Sequence, residues 1–200
     1  MSQRGRKKGA SGEQSRALLL SIAADEFAQK GYHDTKISTI VKKANLTQPS
    51  FYLYFQSKES IFQELVCLFR TKLSELTEQS RLEPGIDLNS LPERITQGLG
   101  GIFRFFAENQ NLTRIGFFIS AEAEEIKKQM AIQIKENLRS EQRDGYFHAH
   151  VDMEIFANSL VGIIERLTVT AVFSGLKDPF SIAKEIVHIF LYGLLIDPDR

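Results

Sequence analysis

Apolar residues recur along this chain at spacings of three and four almost from end to end, the signature of amphipathic helices rather than strands. Leu19, Ile22, Ala23 and Phe27 make one stripe, which Gly31 should stop. Ile37, Ile40 and Val41 make a second, short one, and Phe51 and Phe55 lie four apart on a third. Ile61, Phe62, Leu65, Val66, Phe69, Leu73 and Leu76 then keep a helical period. Run from a cap at Ser57 to about Arg81, that is a helix of roughly 36 Å at ~1.5 Å per residue. Ile95, Leu99, Ile102, Phe103 and Phe106 carry the next stripe, followed by a short segment at 112–119. Three further helices are predicted: Ser120 to about Arg143, Asp152 to Gly175, and Asp178 to about Ile196. No stretch reads as a strand, so the fold class is all-α with about nine helices.

The residues between the stripes say where helices start and stop. Ser11-Gly12-Glu13-Gln14 and Ser90-Leu91-Pro92-Glu93 both fit a capping box, and Asp178-Pro179 is a cap followed by an N1 proline. The most informative punctuation lies within residues 35–58. Asn45 stands where the chain must leave a helix through a left-handed conformation, which asparagine tolerates. Thr47 is a good N-cap, and Pro49 falls in a first turn, where its missing N–H costs little. Two helices joined by three or four residues form a helix-turn-helix, whose second helix enters the DNA major groove. That second helix displays Gln48, Ser50, Tyr52 and Tyr54, whose amide and hydroxyl groups suit base edges and phosphates. Thr47, Gln48, Ser50 and Tyr52 are therefore expected on bases, and Thr35, Tyr54 and Lys58 on the DNA backbone. Lys58 opposes the dipole of the helix it begins, which points to a phosphate anchor. The plainer reading of the same stretch is a helical hairpin with an aromatic core and wet polar residues.

The run from Arg16 through Phe27, then Gly31-Tyr32, Thr35, Ile40, Leu46, Tyr52, Tyr54-Phe55 and Lys58-Glu59, resembles the TetR family of bacterial transcription regulators. The likeness covers about the first 62 residues, with Asn45 where the family usually has glycine. It implies a three-helix DNA-binding domain at 13–58, joined by a long helix to a ligand-binding and dimerisation domain at 59–200. It also implies a ligand-responsive regulator, most often a repressor, released from a palindromic operator when a small molecule displaces the long helix. Residues 1–12, with Arg4, Arg6, Lys7 and Lys8, read as a disordered basic arm.

Charge sharpens this division. Net charge is zero, yet residues 1–58 hold ten Lys and Arg against four Asp and Glu, while the remainder holds fifteen against twenty-one. A basic head that meets phosphates and an acidic body that avoids them would leave that footprint. The single cysteine, Cys67, excludes an internal disulfide and suits a reducing cytoplasm; it reads as an inert thiol inside an apolar helix face. Leu18-Leu19-Leu20 is too short for a secretory leader, and the late apolar run around Ile186–Ile196, interrupted by His188 and Gly193, is too short for a bilayer, so no membrane partner is expected.

The last two helices are apolar on more than one face, through Ile155, Phe156, Leu160 and Ile164, then Ile186, Val187, Ile189 and Phe190. Burial on several sides predicts a homodimer packed as a four-helix bundle, the core of a monomer being the other possibility. Phe103, Phe106, Phe117, Phe118, Met130 and Phe156 are candidates to line an apolar pocket, with Arg114, Glu122, Asn158 and Glu165 as polar handles. They imply a small hydrophobic effector. His148-Ala149-His150 is the one cluster with a metal flavour, and its spacing matches no ligand pattern; no cofactor is expected. Neither a nucleophile elbow nor a phosphate-cradling loop occurs, and nothing argues for catalysis. An all-α enzyme or carrier, or a DNA-binding regulator without a ligand, are the alternative functions.

Overall fold

The computed structural model describes residues 8–194, and the described residues hold nine α-helices and no strand. They pack as two compact units. The first runs to Phe69 and takes in Asn111–Glu122; the second holds Arg70–Gln110 and what is described from Ala123 onward.

In the first unit, α1 (Lys8–Asp34) is broken at Gly31, whose φ of 76° and ψ of 173° only glycine adopts freely. The helix thus begins ahead of Ser11-Gly12-Glu13-Gln14. Residues 8–12, expected in a disordered arm, are helical, because extending an existing helix costs far less than nucleating one. Residues 1–7 of that arm lie outside the described residues. Helix α2 (Ile37–Lys43) ends at Asn45, which takes φ 54° while its N–H donates to the Lys42 carbonyl and the Leu46 N–H to that of Val41. This is the left-handed exit the sequence called for. Helix α3 (Gln48–Tyr52) is capped by Thr47, whose Oγ1 accepts from the Ser50 amide at 3.3 Å. Helix α4 (Lys58–Gln79) starts at a reciprocal pair in which Ser57 and Ser60 each accept the other's amide, at 3.0 and 3.1 Å. Phe27, Phe51, Ile61 and Phe69 are fully buried and make the centre of this unit.

Asn111–Glu122 also packs in this unit. It comprises α6 (Gln110–Arg114) and a π turn at Ile115–Ile119. Asn111 donates to Asp25 of α1, and Gly116 lies so close to the Phe69 ring that a Cβ there would clash with it. Ser120 ends the π turn, its N–H on the Ile115 carbonyl, and does not cap α7: its hydroxyl donates back to the Gly116 carbonyl, and the next helix opens at Ala123.

The second unit is built on α5 (Leu91–Glu108) against α9 (Pro179–Tyr192), and α7 (Ala123–Arg143) against α8 (Met153–Leu167). Ser90 belongs to a short 3-10 turn and makes no side-chain cap, so the predicted capping box at α5 does not form. Asp152 and Asp178 do cap α8 and α9, each accepting two backbone amides. Helix α9 stops at Tyr192, because Gly193 turns to φ 73°; residues 195 and 196, expected to continue it, lie outside the described residues. Cys67 is exposed, contrary to the core position expected, because it falls off the Phe62–Val66–Phe69 stripe of α4.

One buried charge ties the first unit together. Glu26 is fully buried on α1, and its carboxylate meets Lys30 at 2.7 Å and Lys43 of α2 at 2.6 Å. Hydrogen bonds from Lys30 and Lys43 hold its pKa below the ordinary 4.5, outweighing the upward push of burial. A depressed carboxylate stabilises the fold above its unfolded pKa, and that contribution is lost as pH falls through the folded value. Glu26→Gln should therefore cost about 1 kcal/mol at neutral pH, a low figure because both lysines remain half in water. In pH-dependent thermal melts the gap between the two proteins should close below about pH 4.5; a gap constant down to pH 3 would contradict this.

Candidate nucleic-acid interface and effector cavity

Phe51 and Phe55 face inward from the turn of α3, with ring centroids 5.6 Å apart, and so push their neighbours outward. Gln48 is exposed, with no hydrogen-bond partner among the described residues. Tyr52 is 55% exposed and rests edge-on against Phe51. Thr47 and Ser50 share a hydroxyl–hydroxyl bond of 2.9 Å beside the cap, which positions both and leaves lone pairs outward. Leu53, next in sequence, is 78% exposed; sequence reasoning passed over it because it sits between two tyrosines on no periodic stripe. Tyr54 is half-buried, with its hydroxyl near Gly12 of α1. The structure thus brings Thr47, Gln48, Ser50 and Tyr52 to one exposed surface.

Two expected backbone contacts are otherwise engaged. Thr35 is buried and donates its hydroxyl to the Gly31 carbonyl at 2.8 Å. The Lys58 ammonium donates to the carbonyls of Tyr32 at 2.7 Å, Thr35 at 3.0 Å and His33 at 3.3 Å. It also lies 4.3 Å from the Tyr32 ring centroid. Three donors on three carbonyls use all that an ammonium has, so in this structure Lys58 closes the end of α1. That need also accounts for its place against its own helix dipole. Tyr32 is half-buried against Phe27 and Phe62, and its hydroxyl bonds to Glu59. This bond raises the tyrosine pKa and lowers that of Glu59.

The second unit holds a partly open cavity of about 100 Å³ lined almost wholly by apolar side chains, among them Leu99, Ile134, Phe156, Leu160 and Phe190. Of the residues expected in a pocket, only Phe156 lines it. Phe103 and Phe106 are fully buried as core, because α5 turns them away from the void. Met130 is buried beside a separate groove of α4 and α7 that includes Arg70 and Gln133. Asn158 is exposed and bonded to the Glu154 carbonyl, and Glu165 pairs with Lys127 at 2.6 Å. Arg114, Phe117, Phe118 and Glu122 belong to the first unit. Ser80, Asn137 and Glu141 are the polar lining residues that sequence reasoning missed. The signal was present: Ile126, Met130 and Ile134 run on at helical spacing into Asn137 and Glu141, so two polar residues continue a buried stripe. Burial pushes the Glu141 carboxyl upward from its ordinary pKa, against the Leu82 amide that favours the anion.

A short, capped, solvent-facing helix on a buried aromatic pivot, joined to its predecessor by a four-residue turn, defines a helix-turn-helix DNA-binding protein. Residues 19–65 match the family described as bacterial regulatory proteins, tetR family. The chain is 50% identical to the HTH-type transcriptional regulator YdgC of Bacillus subtilis strain 168, over 92% of this chain and 94% of that one. The chain belongs to the TetR family of transcriptional regulators. It is also 23% identical to the fatty acid metabolism regulator protein of Bacillus subtilis, over 88% of this chain and 93% of that protein. The fold matches a crystal structure of the transcriptional regulator FadR from Bacillus subtilis in complex with stearoyl-CoA. The TM-score is 0.67 at 20% identity, covering 90% of this chain and 99% of that one.

Proposed function

We propose that the protein is a homodimeric repressor that binds a palindromic operator and is released by a lipophilic effector held in the second unit. The outward display of Gln48 and Tyr52 over buried Phe51 carries the DNA half of this reading. The dimer is supported by the last helices. Met153–Val172 is a 20-residue apolar run, yet only 28% of an 18-residue apolar window within it is buried. Ile155 is 67% exposed, and Ile189 and Tyr192 of α9 are nearly half exposed. Such a surface calls for cover, and a second copy provides it while placing two reading helices at half-sites roughly 34–36 Å apart.

The effector half rests on the cavity and on the FadR relative, whose bound stearoyl-CoA has an unbranched apolar chain for a body. At about 100 Å³ the cavity is smaller than the roughly 300 Å³ of a typical ligand pocket, so an effector must push its walls apart. One wall includes Ser80, directly beyond α4, whose opposite end holds α1 through Lys58. Release needs only that the effector bind the widened state better than the DNA-competent one. A hundredfold loss of operator affinity corresponds to about 2.7 kcal/mol of coupling.

Selection of duplexes from a random library by the purified protein tests the reading. An inverted repeat with half-site centres about one helical turn apart is expected, bound by two copies. Recovery of no enriched sequence, or of an undivided site bound by one copy, would overturn it.

A further inference from the structure

The most exposed large apolar side chain described in the first unit stands on the reading surface. Leu53 is 78% exposed, against 45% for Leu18 and for Leu68. It follows α3 directly with helical backbone, φ −71° and ψ −22°, so it continues the spacing of that helix. Pro49, one turn before it, is exposed as well. Pro49 and Leu53 thus form an apolar strip beside the polar strip of Gln48 and Tyr52, each pair four residues apart. The inward side of this turn is taken by Phe51 and Phe55, which leaves Leu53 facing solvent. A lone exposed leucine needs no explanation, but this one shares its surface with an unpartnered amide suited to adenine.

We propose that Leu53 reads the C5-methyl of a thymine beside the base that Gln48 meets, and so helps set operator specificity. In the major groove the base pairs present donors, acceptors and, on thymine alone, a methyl. A phosphate or a polar base edge offers a leucine nothing, whereas a methyl laid against it takes apolar surface out of water on both sides. Removing that methyl should weaken binding about fourfold per half-site, or about fifteenfold across two. The proposal rests on the operator reading above and names one of its base contacts.

The test changes the DNA before the protein. Each thymine of the selected operator is replaced in turn, in both half-sites, by deoxyuridine, which keeps every hydrogen-bonding group and deletes the methyl alone. Fluorescence anisotropy should show the full loss at one position of the repeat and much less at the others. Leu53→Ala, at a surface position, should keep its thermal midpoint, bind the thymine operator as weakly as the wild type binds the deoxyuridine one, and lose nothing further on deoxyuridine. Wild-type binding indifferent to every deoxyuridine overturns the proposal. So does a Leu53→Ala protein that retains the wild-type penalty, since the methyl would then act through DNA shape or another side chain. Equal losses for Leu53→Ala on operator and scrambled duplexes overturn it too. Failure to enrich any duplex would sink the operator reading and this contact with it. A methyl effect coupled to Leu53 at an undivided site bound by one copy would uphold the contact and sink the homodimer instead.

Discussion

Replacing Gln48 and Tyr52 together by alanine is expected to weaken binding to the selected operator about a hundredfold, with the oligomeric state and the thermal midpoint unchanged. Gln48 is exposed without a partner, so its amide is available for a bidentate adenine contact worth about 1–3 kcal/mol. Tyr52 supplies a hydroxyl on a ring already held against Phe51, so little entropy is lost when it reaches a phosphate or base. Together the two contacts amount to about 2.7 kcal/mol, or a factor of about one hundred. Fluorescence anisotropy with operator and scrambled duplexes checks the assignment. Specific binding should fall far more than non-specific binding, because the counterion-release contribution belongs to lysines and arginines elsewhere. Equal losses on both duplexes would move these residues from the reading surface to general adhesion.

The second large effect is expected at Lys58. Lys58→Met removes three charge-assisted bonds to the carbonyls that end α1 and its cation–π contact with Tyr32. Partial exposure moderates the loss to about 2–3 kcal/mol. Thermal or denaturant unfolding should show it, and the salt dependence of operator binding should stay unchanged for the fraction that remains folded. A phosphate anchor would behave oppositely: the midpoint would hold, and the slope of log affinity against log salt would fall by about one. The two measurements separate a structural lysine from a DNA contact without reference to absolute affinity.

Both expectations turn on how far each residue's decisive neighbours lie along the chain. The helix-turn-helix was legible because its parts are local. Thr47 caps the amide of Ser50, Asn45 turns beside Lys42, and Phe51 and Phe55 are one helical turn apart. The cavity was not legible. Its walls come from helices separated by dozens of residues, and which phenylalanine faces the void depends on how α5 and α8 are rotated. Phe103 and Phe156 look alike in sequence, yet one is core and the other lining.

The chain's own order of residues determined the all-helical class, the reading helix with its cap and exit, and the division of charge between head and body. Those follow from contacts spanning a turn or two, or from composition alone. Tertiary structure decided that Lys58 closes α1, that residues 111–122 pack against the DNA-binding unit, and that Glu141 faces an apolar void. Each of those outcomes joins groups more than twenty positions apart, and their meeting is set by how helices pack, which no local periodicity encodes.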